Sequence, residues 1–120
     1  MKPELLDYEL LVQTKRLIET PETWCQRFGH RISADGIDQY CAIGAFNKVL
    51  GTERIHSTKA YAEHRAWRLL NEAAKEVWNI PHRKENYPGS LPVAINDHTD
   101  HPTVMKMFDI AIAKAEALAR

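Results

Sequence analysis

A chain of 120 residues with sixteen acidic and sixteen basic side chains carries no net charge, and so lacks the field that draws in a nucleic acid. Its 44% apolar and 27% charged residues suit one globular domain over 1–120, long enough to bury roughly two-thirds of the surface its unfolded chain exposes. No segment approaches the ~20 consecutive apolar residues of a membrane span.

The first residues, Met1 to Glu9, carry acids where an export signal is apolar, so a cytoplasmic protein is expected. From Glu4 to Glu19, Leu6, Leu10, Leu11, Leu17 and Ile18 recur at helical spacing and predict a first helix. Pro21 stops it, because proline lacks an N–H and restricts the residue before it. Phe28 to Asp38 has no helical period, and Asp35-Gly36 reads as a tight turn within a loop.

Gln39 to Leu50 reads as a second helix, with Asp38 as its N-cap and Gly51 as its left-handed terminator. Gly44 in its middle costs about 1 kcal/mol against alanine, so it is expected to admit another backbone, that of the first or last helix. Ser57 or Thr58 caps a third helix running to Trp78, with Trp67, Leu70, Ala74, Val77 and Trp78 on one face. Lys59, His64, Arg65 and Arg68 on it are interrupted by Glu63, Glu72 and Glu76, the mixed charge of a solvated face.

After Asn79-Ile80-Pro81 comes a loop in which Tyr87-Pro88-Gly89-Ser90 has the composition of a type II turn. Leu91 to Ile95 reads as a short extended piece, with Pro92 excluding a central strand. The last helix starts near His101-Pro102 and buries Val104, Met107, Phe108, Ala111, Ala115 and Leu118. The expected architecture is all-α: a small single-domain bundle of about four helices with irregular loops around 21–38 and 79–100.

Trp24-Cys25-Gln26, Asp35-Gly36, Tyr40-Cys41-Ala42-Ile43-Gly44-Ala45 and Asn96-Asp97, followed by Thr103 and an alanine-rich end, occur in a recognisable order. This order resembles a family of small bacterial and phage proteins, a domain of unknown function. The resemblance covers about Leu5 to Ala119 and implies a helical fold and a prokaryotic or phage source. It supplies no reaction, ligand or partner. Lys106 stands where that family carries an acid that would close a capping box.

Cys41, at the expected start of a helix, is the sharpest chemical feature, because a helix N-terminus favours a thiolate. A cysteine-dependent hydrolase would need a base, for which His98 is the candidate, oriented by Asp97 or Asp100. Against this stands a small buried cysteine among Ala42, Gly44 and Ala45. Cys25, Cys41, His30, His98 and His101 are suitable zinc ligands, but their spacing fits neither a finger nor a ribbon, so no metal and no cofactor is expected.

With only two cysteines and no export signal, no disulfide framework is expected and both thiols should be free. Asn96 to Asp100 alternates oxygen ligands without the glycine and distal glutamate of a calcium loop, and reads as helix capping. Trp24, Cys25, Asn96 and Asp97 are the candidate binding residues, either as a small-molecule site near Asn96-Asp97 or as architecture, in which the motif stretches meet and Asn96 or Asp97 bonds backbone N–H groups between Trp24 and Tyr40. The leading expectation is an interaction or regulatory protein that binds another macromolecule, a protein rather than a nucleic acid. An aromatic such as Trp67 or Trp78, if exposed, would mark the groove.

Overall fold

The computed structural model describes residues 7–51 and 64–118. Among the described residues there are five helices, α1 (Asp7–Leu17), α2 (Ala42–Leu50), α3 (Arg65–Glu76), α4 (Leu91–His98) and α5 (His101–Leu118). Two short 3-10 turns lie at Pro21–Thr23 and Lys84–Asn86. One antiparallel hairpin joins β1 (His30–Ile32) and β2 (Asp38–Tyr40), with Arg31 opposite Gln39.

Helix α5 is the central element, packing against α1, α3 and α4, while α2 lies on α1 and α4. The burial follows the helical spacing of α5: Val104, Met107, Phe108, Ala111 and Ala115 are buried on one face. They meet Leu10 and Leu11 of α1, Leu70 and Ala74 of α3, and Ile95 of α4 in one contiguous core. Phe46 from α2 enters it edge-on to Trp67, with ring centroids 5.1 Å apart. Each such fully buried large side chain contributes about 1.5–3 kcal/mol. Thr14 is the buried polar group on α1, and its hydroxyl is satisfied by the Leu10 carbonyl at 2.7 Å. Leu118, expected in the stripe, is 68% exposed at the end of α5.

The mainly helical reading holds, but in place of about four helices the described residues form five helices and a hairpin. Leu91 to His98 is helical where an extended piece and a loop were expected. Pro92 sits in its first turn, where the missing N–H has no intrahelical bond to lose, so the same residue that forbids a strand permits a helix. Gln39 and Tyr40 belong to β2, so α2 begins only at Ala42. Its N-cap is Cys41 rather than Asp38, with the sulfur accepting from the Gly44 N–H at 3.4 Å.

Gly51 does end α2 in the left-handed conformation, at φ 77°. Gly36 takes a positive φ of 80° at the hairpin turn, closed by its N–H to the Ser33 carbonyl at 2.9 Å. Gly89 is not among the positive-φ glycines, so Tyr87 to Ser90 is not a type II turn. The start of the third helix at Ser57 or Thr58 lies outside the described residues, as do Lys59 and Glu63. No helix among the described residues is long and apolar enough to cross a membrane.

Candidate functional site

Three stretches distant in sequence meet beside the hairpin: Trp24–Arg27, Cys41–Gly44 and Asn96–Asp97. The first two run alongside each other. Trp24 forms a single parallel bridge with Tyr40, and the Cys25 N–H donates to the Tyr40 carbonyl at 3.0 Å. In a continuing parallel ladder the Ala42 N–H would next donate to the Cys25 carbonyl. The carboxamide of Asn96 occupies that rung instead. Its Nδ2 donates to the Cys25 carbonyl at 3.1 Å, and its Oδ1 accepts from the Ala42 N–H at 2.9 Å.

The other half of the amide is also used. Trp24 Nε1 donates to Oδ1 at 2.7 Å, and Nδ2 donates to Asp97 Oδ1 at 3.1 Å. A carboxamide offers two donors and two acceptor lone pairs, and all four are engaged. Asn96 is 1% exposed. A buried polar group so completely satisfied holds structure together and has no valence left for a ligand.

The residues around it complete the clamp. Gln26 Nε2 donates to the carbonyls of Thr99 at 3.0 Å and Asn96 at 3.3 Å, near the C-terminal end of α4, where helix carbonyls lack intrahelical partners. Arg27 sits at φ 70°, an unfavourable conformation for a residue with a Cβ, and its N–H is held by Asp97 Oδ1 at 2.8 Å. Gly44 meets the backbone of Gly29: a Cβ on Gly44 would lie 1.7 Å from the Gly29 oxygen. Gly44 therefore does admit a second backbone, but that of the loop before β1 rather than of the first or last helix.

Asn96 and Asp97 are thus residues of the last turn of α4 and not caps of the final helix. That cap is Asp100, whose Oδ1 accepts from the Thr103 N–H at 3.0 Å and from the Thr103 hydroxyl. These bonds favour the ionised form and hold the Asp100 carboxyl below its usual range, the hydroxyl contributing most.

Cys25 and Cys41 are both buried free thiols. Burial pushes each thiol up from its ordinary pKa, outweighing for Cys41 the backbone N–H groups at the start of α2. That is opposite to the shift an activated nucleophile needs. The Cys25 sulfur donates to the Phe28 carbonyl at 3.2 Å. No hydrogen bond joins Cys41 to His98, which is exposed on α4. Nor do the residues chemically suited to zinc converge: among the described residues no group of three His, Cys, Asp or Glu is placed to hold an ion. His30 pairs with Asp38 at 2.8 Å, and His101 Nε2 donates to the Ile18 carbonyl at 2.7 Å.

The hairpin itself carried no signal in the sequence beyond Asp35-Gly36. Phe28, Ile32 and Ile37 are exposed there, at 56%, 65% and 40%. The Arg31 guanidinium lies over the Phe28 ring, 5.9 Å from its centroid. Trp67 is buried and Trp78 half-buried, so neither marks a groove. A shallow cleft of about 370 Å³ beside Trp78 is lined by residues 80–85 of one loop and shares no residue with the clamp.

Fold and site together define a small helical domain that clamps a projecting hairpin through a buried asparagine. The model described as a family of unknown function, DUF6197, matches residues 3–114, and the chain belongs to that family. Comparison with curated proteins and with solved structures gives no match.

Proposed function

We propose that this is a protein-binding module of a bacterium or phage, working in the cytoplasm, and that the hairpin from Phe28 to Tyr40 is its contact element. The observation that carries the reading is the exposure of three large apolar side chains, Phe28, Ile32 and Ile37, on one small element. Single exposed hydrophobes are ordinary, but three within ten residues of a rigidly anchored hairpin suit a partner's surface. An isolated two-stranded hairpin is marginal in water, so its shape depends on the clamp beneath it. Under this reading Trp24, Cys25, Asn96 and Asp97 position the contact element, and neither the thiols nor the amide touches the partner.

The test is site-specific photocrosslinking in the native host. A benzophenone side chain at position 32 should give a discrete adduct that the same group at Glu72, on the exposed face of α3, does not. The partner identified from that adduct, once purified, should bind the parent chain and lose affinity at least tenfold for Phe28→Ser/Ile32→Ser. Equal labelling at both positions, or undiminished binding by the double variant, would sink the reading.

A further inference from the structure

The register of the hairpin fixes which of its backbone groups are unpaired. Cys41 donates to the Gly29 carbonyl and Ser33 to the Ile37 carbonyl, so 29/41, 31/39 and 33/37 are the hydrogen-bonded pairs. His30 and Ile32 therefore turn their N–H and C=O groups away from β2, along the outer edge of β1. Among the described residues nothing pairs with that edge, and all three residues of β1 are exposed. On the opposite edge of the hairpin, the Tyr40 carbonyl is taken by Cys25. An open edge is a template for another strand, which proteins blunt with short strands, charges, proline or a bulge. This one is three residues long and carries Arg31, but it has no proline or bulge and exposes Ile32 by 65%.

We propose that the outer edge of β1 takes up an extended acidic segment of a partner protein as a third strand, an inference that rests on the hairpin being the contact element. Backbone pairing supplies the docking mode, and side-chain alternation supplies the pattern. One face of the hairpin presents Ile32 together with the His30–Asp38 ion pair. The other presents Arg31, with Phe28 beneath its guanidinium. A strand laid on the edge places an apolar side chain beside Ile32 and its next residue beside Arg31. Charge selects that next residue. Of the nearby carboxylates, Asp97 is engaged by the Arg27 N–H and Asn96, Asp38 by His30, and Asp35 sits in the turn beyond Ser33, while Arg27 and Arg31 have no carboxylate partner among the described residues, Arg31 Nε donating to Gln39 Oε1. The incoming side chain beside Arg31 is therefore an aspartate or glutamate.

Selection of linear peptides from a displayed random library on the purified full chain tests this. Enriched sequences should alternate apolar and acidic residues and contain no internal proline. Arg31→Glu should enrich basic peptides in their place, a reversal that a folding defect cannot imitate. Ile32→Pro removes one outward N–H at a position where an edge strand tolerates proline, and should weaken a selected peptide at least tenfold without lowering the melting temperature. Peptides that are lost on Phe28→Ser/Ile32→Ser but carry no acids, or contain proline, would overturn the acidic strand and leave the hairpin as contact element. Peptides indifferent to the hairpin variants, or no enrichment at all, would overturn both.

Discussion

The base of the hairpin and its outer end are built on opposite principles. At the base, Asn96 fills a ladder rung with all four of its hydrogen-bonding positions used, and Gly44 touches Gly29 backbone to backbone. A few residues further out, Ile32 and Ile37 stand in water, as the Phe28 ring does beside the base, and among the described residues nothing pairs with the β1 edge. Such a division is expected where one part of a molecule must be rigid so that another can be presented. Substitutions at the base should cost stability, and substitutions at the outer end should leave it unchanged.

The largest effect should come from Gly44→Leu. The oxygen that its Cβ would strike belongs to backbone, which cannot swing aside as a side chain would. The loss should reach or exceed the upper end of the about 1–3 kcal/mol usual for overpacking. Gly44→Ala sharpens the point, since helix propensity alone predicts a gain of about 1 kcal/mol and the structure predicts a loss. Gly29→Ala is the contrast: its Cβ would meet only the Gly44 Cα, at 3.9 Å, and should be tolerated. Chemical denaturation of the three variants decides it, and a stabilised Gly44→Ala would break the comparison.

Asn96→Ala comes next, at about 3 kcal/mol, because it strands the Trp24 indole N–H, the Ala42 N–H and the Cys25 carbonyl at once. Asp97→Ala should cost less, about 1–2 kcal/mol, since the Arg27 N–H it releases lies at a more exposed position. The two residues share a hydrogen bond, so the double variant should lose less than the sum of the singles. Strict additivity would mean that they act independently.

The thiols test the base from a different side. Burial raises both, so iodoacetamide at pH 8 should label neither at an appreciable rate until denaturant is added. Rapid native labelling of Cys41 would return it to the role of nucleophile. At the outer end, Phe28→Ser/Ile32→Ser should melt within a degree or two of the parent, because little buried area is lost. A large drop would mean that these side chains support the fold.

What the sequence revealed of this arrangement depended on how local each cause was. Gly51 and the Val104 to Ala115 stripe act within one helix and were legible from spacing and punctuation. Gly44 announced a close approach but not its partner, which lies in a loop without periodicity. Helix α4 was missed because its eight residues are too few for a clear period, and Pro92 argues equally for breaking a strand and starting a helix. That the motif residues meet, and that Asn96 or Asp97 holds backbone N–H groups between Trp24 and Tyr40, was legible, as Asp97 does for Arg27; the ladder rung that Asn96 fills was not, because the groups it joins lie 54 and 71 residues away and nothing local reports a missing rung. The hairpin hid because its strands are three residues long and β1 is exposed on both faces, so no alternation of burial shaped the sequence.

The smallest effect belongs to neither region but to the two-residue link that holds α4 against α5. Asp100 ties the first turn of α5 through the Thr103 N–H and hydroxyl, and these bonds keep its carboxyl ionised below the usual range. A carboxyl depressed on folding stabilises the fold above its unfolded pKa of about 3.9, and that contribution disappears as pH falls through the folded value. The difference in melting temperature between the parent and Asp100→Ala should therefore be present at pH 7, unchanged at pH 5.5, and smaller by pH 3. Thr103→Val, which keeps the backbone bond and removes the hydroxyl, should shift the onset of that loss upward, toward the ordinary carboxylate value. The effect should stay modest throughout, because Asp100 is exposed to water. A gap that persisted undiminished to pH 3 would show that the side chain acts by shape rather than charge.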